Sequence, residues 1–293
     1  MASTRKFRSR DAQAEIGIIG GSGLYDMPGL SRRKKVSLDT PWGKPSGPYV
    51  LGTLEGRKVA FLGRHGPGHS LMPSEINYRA NIFGFKRLGA KALISISAVG
   101  SMRERYRPRD IVFPDQFFDR TLRRPQTFFG GGVVAHIAFD QPVCPALRGH
   151  LLRSARALKF AAHDGGVYFC IEGPQFSTLA ESRIFRKWGA GIIGMTNLPE
   201  ARLAREAQLC YSTVGLVTDY DCWKHDAEQV SVEQILDNMR HNGENARALV
   251  RAAMKAFPEN GGCACRSALR NAVLTSPAAI PGTWKRRLEV LQR

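Results

Sequence analysis

Acidic residues and long apolar runs are what this chain is short of. Only 25 Asp+Glu stand against 43 Lys+Arg, so the formal charge is +18 over 293 residues. No stretch of 18 consecutive apolar residues occurs, and the basic N-terminus (Arg5, Lys6, Arg8, Arg10) leads into no apolar segment. Neither a membrane span nor a secretory leader is therefore expected, and a cytoplasmic location is. The chain also lacks Cys-x-x-Cys pairs, internal repeats, low-complexity linkers and any composition shift that would mark a domain boundary. What it has is an ordinary globular composition, 43% hydrophobic with 30 Gly and 16 Pro, which suffices for one large core.

The positive charge invites a nucleic-acid reading, since Lys and Arg that neutralise phosphates release counterions. Its distribution argues otherwise. The basic residues fall in scattered groups, Arg32 to Lys35, Arg103 to Arg109 and Arg120 to Arg124, with no zinc-finger spacing, aromatic RNA-binding strand or basic heptads. Solvated faces, subunit contacts or an anionic substrate account for them better. Of six cysteines, Cys144, Cys170, Cys210 and Cys222 stand alone and read as small buried hydrophobes. Cys263 and Cys265 form a Cys-Ala-Cys pair, either free thiols or a strained disulfide. A zinc site would need two further ligands at a usual spacing, so no metal is expected.

Residues 1–14 read as a mobile basic tail and 15–293 as one domain. Ile16 to Ile19 predicts a buried strand delivering the turn Gly20-Gly21-Ser22-Gly23. Tyr49–Leu54 and Val59–Gly63 predict a hairpin, Ser74 a helix cap for a helix to about Leu88, and Ala92–Ala98 and Asp110–Phe117 two further strands. Thr178-x-x-Glu181 and Ser231-x-x-Gln234 match capping boxes that follow strand-like runs at 167–171 and 211–219. Such alternation predicts an α/β fold, a mixed central β-sheet flanked by helices, with functional loops at the carboxyl ends of strands.

Several strand ends carry chemistry. The turn at 20–23 lacks the third glycine of a dinucleotide fingerprint, Asp26 standing there, and reads equally as an anion site or a tight connection. In Gly63-Arg-His-Gly-Pro-Gly-His69, histidine replaces the lysine of a nucleotide-triphosphate loop. Arg64 and His65 would instead offer a cation and a hydrogen-bond donor to a phosphate dianion. Ser95, Ser97 and Gly100 end one apolar run, a loop start or an anion site. Thr218-Asp219-Tyr220-Asp221 ends another, and two acids two apart on an extended segment would point the same way, suited to protonating a leaving group.

Taken in order, these blocks resemble the trimeric purine nucleoside phosphorylases, and within them the 5′-methylthioadenosine phosphorylases. The resemblance rests on Ile16-Gly-Ile-Ile-Gly-Gly-Ser-Gly23, Arg64-His65-Gly66, Met72-Pro-Ser with Asn77-Tyr78, Ala98-Val-Gly-Ser101, Ile171-Glu-Gly-Pro-Gln-Phe-Ser177, Met195-Thr196 and Thr218-Asp-Tyr-Asp-Cys-Trp223. It runs from about residue 15 to 255 and is loose over the last 35 residues.

That resemblance implies phosphorolysis, orthophosphate attacking the anomeric carbon to release a purine and a ribose 1-phosphate, in methionine and purine salvage. Orthophosphate is a co-substrate and no cofactor or metal is implied. The family's phosphate site falls on Ser22, Arg64, His65, Ser97, Ala98 and Thr196, with serine at 22 and 97 where relatives often carry threonine. Its base site falls on Phe176, Ser177, Asp219 and Asp221, its ribose contact on Met195, and its apolar 5′-methylthio pocket on Val232, Ile235 and Leu236. Asp219 is the implied proton donor to the purine N7 and the reason for preferring a 6-amino group. His136, and less securely Leu274, match residues supplied from a neighbouring subunit of a homotrimer. Competing readings are a phosphorylase of broader purine range, a nucleosidase that uses water, and a basic nucleic-acid-binding protein.

Overall fold

A computed structural model describes residues 13–21, 27–224, 232–258 and 263–292, with side chains from 236 onward in the third segment. The described residues form one α/β domain, with eleven strands and six α-helices among them, built on a single mixed sheet. Its middle is β1 (Ile16–Gly20), β4 (Arg57–Gly63), β5 (Ala92–Ser101) and β11 (Cys210–Asp219), all mutually parallel where they pair. These strands are near-continuous runs of Ile, Val, Leu and Ala because helices cover both faces of the sheet. Alternation sorts them. Ile19, Leu93, Tyr211 and Val217 face one cluster with α1 (Tyr78–Arg87) and α4 (Asn197–Glu206), while Ile16, Ile18, Ile94, Ile96, Val214 and Leu216 face another with α2 (Pro145–Ala157) and α5 (Val232–Lys255).

Toward one edge run β3 (Tyr49–Leu54), the expected antiparallel hairpin partner of β4, and β2 (Ser31–Val36). Arg32-Arg33-Lys34-Lys35 therefore line an exposed edge strand, where charge discourages pairing with another sheet. Toward the other edge run β10 (Ala190–Gly194), β9 (Val167–Ile171) and β7 (Gln116–Arg120). Two short strands, β6 (Ile111–Phe113) and β8 (Ala162–Asp164), extend from β11. No helix of the described residues is long and apolar enough to cross a membrane.

Several local expectations are revised. The helix expected from Ser74 begins at Tyr78, because Asn77 caps it by accepting from the Ala80 N–H at 3.1 Å. The run Asp110–Phe117 is two strands, β6 and β7, divided at Pro114 and Asp115, where Asp115 accepts from the Gly166 N–H. Thr178 and Glu181 form the full capping box ahead of α3 (Leu179–Lys187), while Ser231 lies outside the described residues. Gln13 and Ala14, expected within the mobile tail, both donate to Leu88 O, and Ala14 is fully buried. Residues 1–12 lie outside the described residues. Of the cysteines expected to be buried and isolated, Cys222 is exposed, and Cys144 and Cys210 are not isolated but meet Cys263 and Cys265.

Candidate active site

The long central strand β5 opens the site. On one edge it pairs with β11 from Ala92 to Gly100. On the other, β1 pairs only as far as Ser95 and β10 only from Gly100, so residues 96–99 have no strand partner there. In this gap Ser97 is buried, with its Oγ 3.2 Å from Thr196 Oγ1, and Ala98 is exposed. Thr196 immediately precedes α4, whose first turn is broken at Leu198 (φ −120°, ψ 134°) and Pro199.

Arg64 follows β4 and enters the same gap. It is 2% exposed and donates from Nε and Nη2 to Glu200, from Nη2 to Ser95 Oγ at 2.8 Å, and from Nη1 to Ile96 O at 3.2 Å. One Nη1 N–H is left uncommitted among the described residues. Burial alone would lower the Arg64 pKa, but the Glu200 carboxylate more than offsets this and the group is held charged. Glu200, fully buried, also accepts from Ser95 Oγ at 2.6 Å and Tyr211 OH at 3.0 Å.

His65 departs from the donor role expected of it. Its Nδ1 lies 2.9 Å from Leu71 O, and a carbonyl only accepts, so Nδ1 carries the proton. Burial pushes the ring down to about 4, outweighing the opposing Leu71 hydrogen bond, with smaller help from the Arg64 and His69 charges. The neutral ring thus presents Nε2 as an acceptor, matched to the hydroxyl of a monoprotonated phosphate. His69 stacks on it at 4.2 Å.

At the end of the β5–β11 pair, Asp219 lies opposite Gly100. A Cβ on Gly100 would stand 3.2 Å from Asp219 Oδ1, so the glycine lets the carboxylate approach the strand. Asp219 Oδ2 accepts from Thr218 Oγ1 at 2.6 Å and Oδ1 from the Asp221 N–H at 2.8 Å. Asp221 does not continue the strand as expected; it turns with φ +50° into a short 3-10 segment, Asp221–Trp223. Ser182 Oγ donates to its carboxylate. Burial, and further the charge of Asp219, raises the Asp221 pKa.

Met195 is half-buried against Gly173, whose φ of +70° leaves no room for a side chain beside the thioether. Phe176 is 84% exposed, while the Ser177 hydroxyl is shielded and has no partner among the described residues. Leu236, 59% exposed, lies on α5; the side chains of Val232 and Ile235, and all of Ser22, fall outside the described residues. His136 is exposed, its N–H bonded to Ala272 O, and no recorded contact joins it to the other candidates among the described residues. Leu274, 64% exposed, is bonded through its N–H to nearby Val134 O.

The phosphorylase superfamily model matches residues 15–255. The chain belongs to this family. The S-methyl-5′-thioadenosine phosphorylase of Koribacter versatilis (strain Ellin345) is 55% identical over 279 residues, 95% of this chain and 96% of its own length. That of Gloeobacter violaceus is 55% identical over 287 residues, 95% of each chain. The crystal structure of a methylthioadenosine phosphorylase from an Antarctic soil metagenomic library superposes with a TM-score of 0.92 at 46% identity, covering 96% of this chain and 99% of that one. The Schistosoma mansoni enzyme in complex with adenine gives 0.80 at 35% identity, covering 85% and 93%.

Three supporting groups were not anticipated from sequence. Glu200 holds Arg64. Arg124, one of a basic run expected on a solvated face or a contact, is 4% exposed and clamps Glu172, Tyr78 OH and the Met195 and Leu198 carbonyls. Asn238 and Asn242, four apart on α5, donate to the Thr218 and Val217 carbonyls at 2.9 and 2.8 Å and fix that helix to the end of β11. Their i,i+4 spacing was the one available signal.

Proposed function

We propose that the protein carries out phosphorolysis of 5′-methylthioadenosine, giving adenine and 5-methylthioribose 1-phosphate, as a pentosyltransferase of the phosphorylase superfamily. The observation that carries this reading is the β5–β11 pair itself. Its β5 strand carries Ser97, 3.2 Å from Thr196 Oγ1, and Ala98, and its end sets the Asp219 carboxylate opposite Gly100, which supports phosphate at the first and the base at the second. Three residues of strand, about 10 Å, separate Ser97 from Gly100.

In this reading orthophosphate sits among Ser22, the free Nη1 N–H of Arg64, His65 Nε2, Ser97, Ala98 and Thr196. It attacks the anomeric carbon, and its negative charge also stabilises the oxocarbenium-like sugar. The electrons of the broken C–N bond go to the purine, which leaves readily only if N7 gains a proton. Asp219 delivers it while accepting from the 6-amino group. Burial, and further the charge of Asp219, raises the pKa of Asp221 beside it. Met195 supports the ribose, Phe176 and Ser177 the base, and Val232, Ile235 and Leu236 the 5′-methylthio group. The reaction requires orthophosphate as co-substrate and no cofactor. His136, exposed, reaches the site of a neighbouring copy in a homotrimer, and the enzyme serves methionine and purine salvage in the cytoplasm.

The test is release of free base from 5′-methylthioadenosine, adenosine and inosine, each with and without orthophosphate. Phosphate-dependent adenine release, strongest for 5′-methylthioadenosine, is expected. Release without phosphate would indicate a nucleosidase instead, and preference for inosine would overturn the roles of Asp219 and the 5′ pocket.

A further inference from the structure

Far from the candidate site, four cysteines converge. Cys144 caps the N-terminus of α2, Cys210 opens β11, and Cys263 and Cys265 flank Ala264 where the chain enters a short 3-10 turn. Their sulfurs all lie within 4.8 Å of one another, and Cys144 Sγ stands 3.5 Å from Cys263 Sγ. All four are free thiols. Cys144 and Cys265 are buried in the cluster beneath α2 and α5, with Phe160 and Phe257 packed beside it.

A tetrahedral metal with metal–sulfur bonds of about 2.3 Å sets its four sulfurs about 3.8 Å apart. Disulfides would instead resolve the group into two pairs, each at about 2.05 Å. Mutual convergence of four sulfurs from three separate segments is what a tetrathiolate centre requires. Cys263 is extended (φ −112°, ψ 132°), so Cys263 and Cys265, two residues apart, can present their sulfurs from one stretch of chain. The positive end of the α2 dipole favours a thiolate on Cys144.

We infer that Cys144, Cys210, Cys263 and Cys265 form a structural metal site for zinc. Zn²⁺ replaces the four thiol protons, leaving a tetrathiolate of net charge −2 and four protons in solution. Zinc fits because its filled d shell accepts tetrahedral sulfur and undergoes no redox change. With all four ligands from the protein no coordination position is open, so the site stabilises rather than catalyses. It fastens the segment after α5 to α2 and to the amino end of β11, closing a loop in which Cys144 and Cys263 are 119 residues apart. Asp219 lies at the opposite end of β11, nine residues or about 30 Å along the strand.

The test is made on the full chain, purified under reductant and exclusion of air. Elemental analysis should find a single zinc per chain, and cobalt(II) added to the stripped protein should give sulfur-to-cobalt charge-transfer absorption. Cys263→Ser with Cys265→Ser should lose both signals. Stripping the unmutated protein should lower its Tm, zinc but not magnesium should restore it, and the turnover of base release at moderate temperature should be unchanged. Because the stripping and cobalt experiments use the unmutated chain, a variant that fails to fold does not decide the matter. A reduced chain that takes up neither zinc nor cobalt, or an intact mass four hydrogens low with no metal, as two disulfides would give, overturns the assignment.

Discussion

Arg64 donates to both carboxylate oxygens of Glu200, at 2.8 and 3.2 Å, with the two side chains 2% and 0% exposed. An ion pair this deep cannot lose one partner cheaply, because the other charge stays buried without solvent. Glu200→Gln should cost about 3–5 kcal/mol of folding stability, read by urea denaturation. Orthophosphate should then raise the Tm of the variant more than that of the unmutated protein, because a bound dianion supplies the negative charge Glu200 gave. Equal protection of both would mean that Arg64 does not face the phosphate.

That pair also marks where sequence ceases to inform. The strand at Ile16, the hairpin around Gly56 and the Thr178 capping box were legible because each is fixed by residues within a few positions of one another. Arg64 and His65 were legible as a charged turn after a strand. Glu200 was not, since its partner is 136 residues away and Pro199 obscures any helical period. Arg124 looked like one more surface cation in a basic run; only the folded chain closes Glu172 and the Met195 carbonyl around it. Asp221 was misjudged: instead of extending the strand it turns with φ +50°, its N–H donating to Asp219 Oδ1.

His65 should leave a signature in stability. Its folded pKa, about 4, lies below the ordinary value of 6.5, so between these pH values the unfolded chain binds the proton and the folded chain does not. The contribution of a neutral His65 is therefore fully present above pH 6.5 and is lost as pH falls toward 4. Tm measured over this range should decline, and His65→Gln should decline less steeply. In phosphate kinetics the same variant loses a hydrogen bond to a charged ligand, about 1.5–3 kcal/mol, or roughly a 10- to 100-fold rise in phosphate KM. A variant with unchanged slope and KM would remove His65 from the site.

Asn238 links α5 to the strand that carries Asp219. Its Nδ2 donates to Thr218 O at 2.9 Å and its Oδ1 accepts from Arg109 Nε at 2.8 Å, with the residue 8% exposed. Asn238→Ala leaves both partners short of a hydrogen bond, at a cost of about 1–3 kcal/mol in urea denaturation. Because α5 also bears Leu236, the nucleoside KM should rise while phosphate KM holds. If both constants rise together, the helix supports the whole cleft rather than its nucleoside side.

Asp219 bears the heaviest chemical assignment, and its variant separates base selection from fold. In Asp219→Asn the amide oxygen can still accept from the Asp221 N–H, and the Thr218 hydroxyl can turn to accept from the amide NH₂, so the strand end should keep its shape. What changes is the polarity offered to the base. An amide NH₂ donates where the carboxylate accepted, opposing a 6-amino group and welcoming a 6-oxo group, and it has no proton to give N7. General acid catalysis is worth about 10²- to 10⁴-fold, so kcat/KM for 5′-methylthioadenosine should fall by at least about 100-fold. The ratio of inosine to adenosine turnover should rise at the same time. A uniform loss on every nucleoside would show a proton donor without a role in selection, and an unchanged rate would move the donor to Asp221.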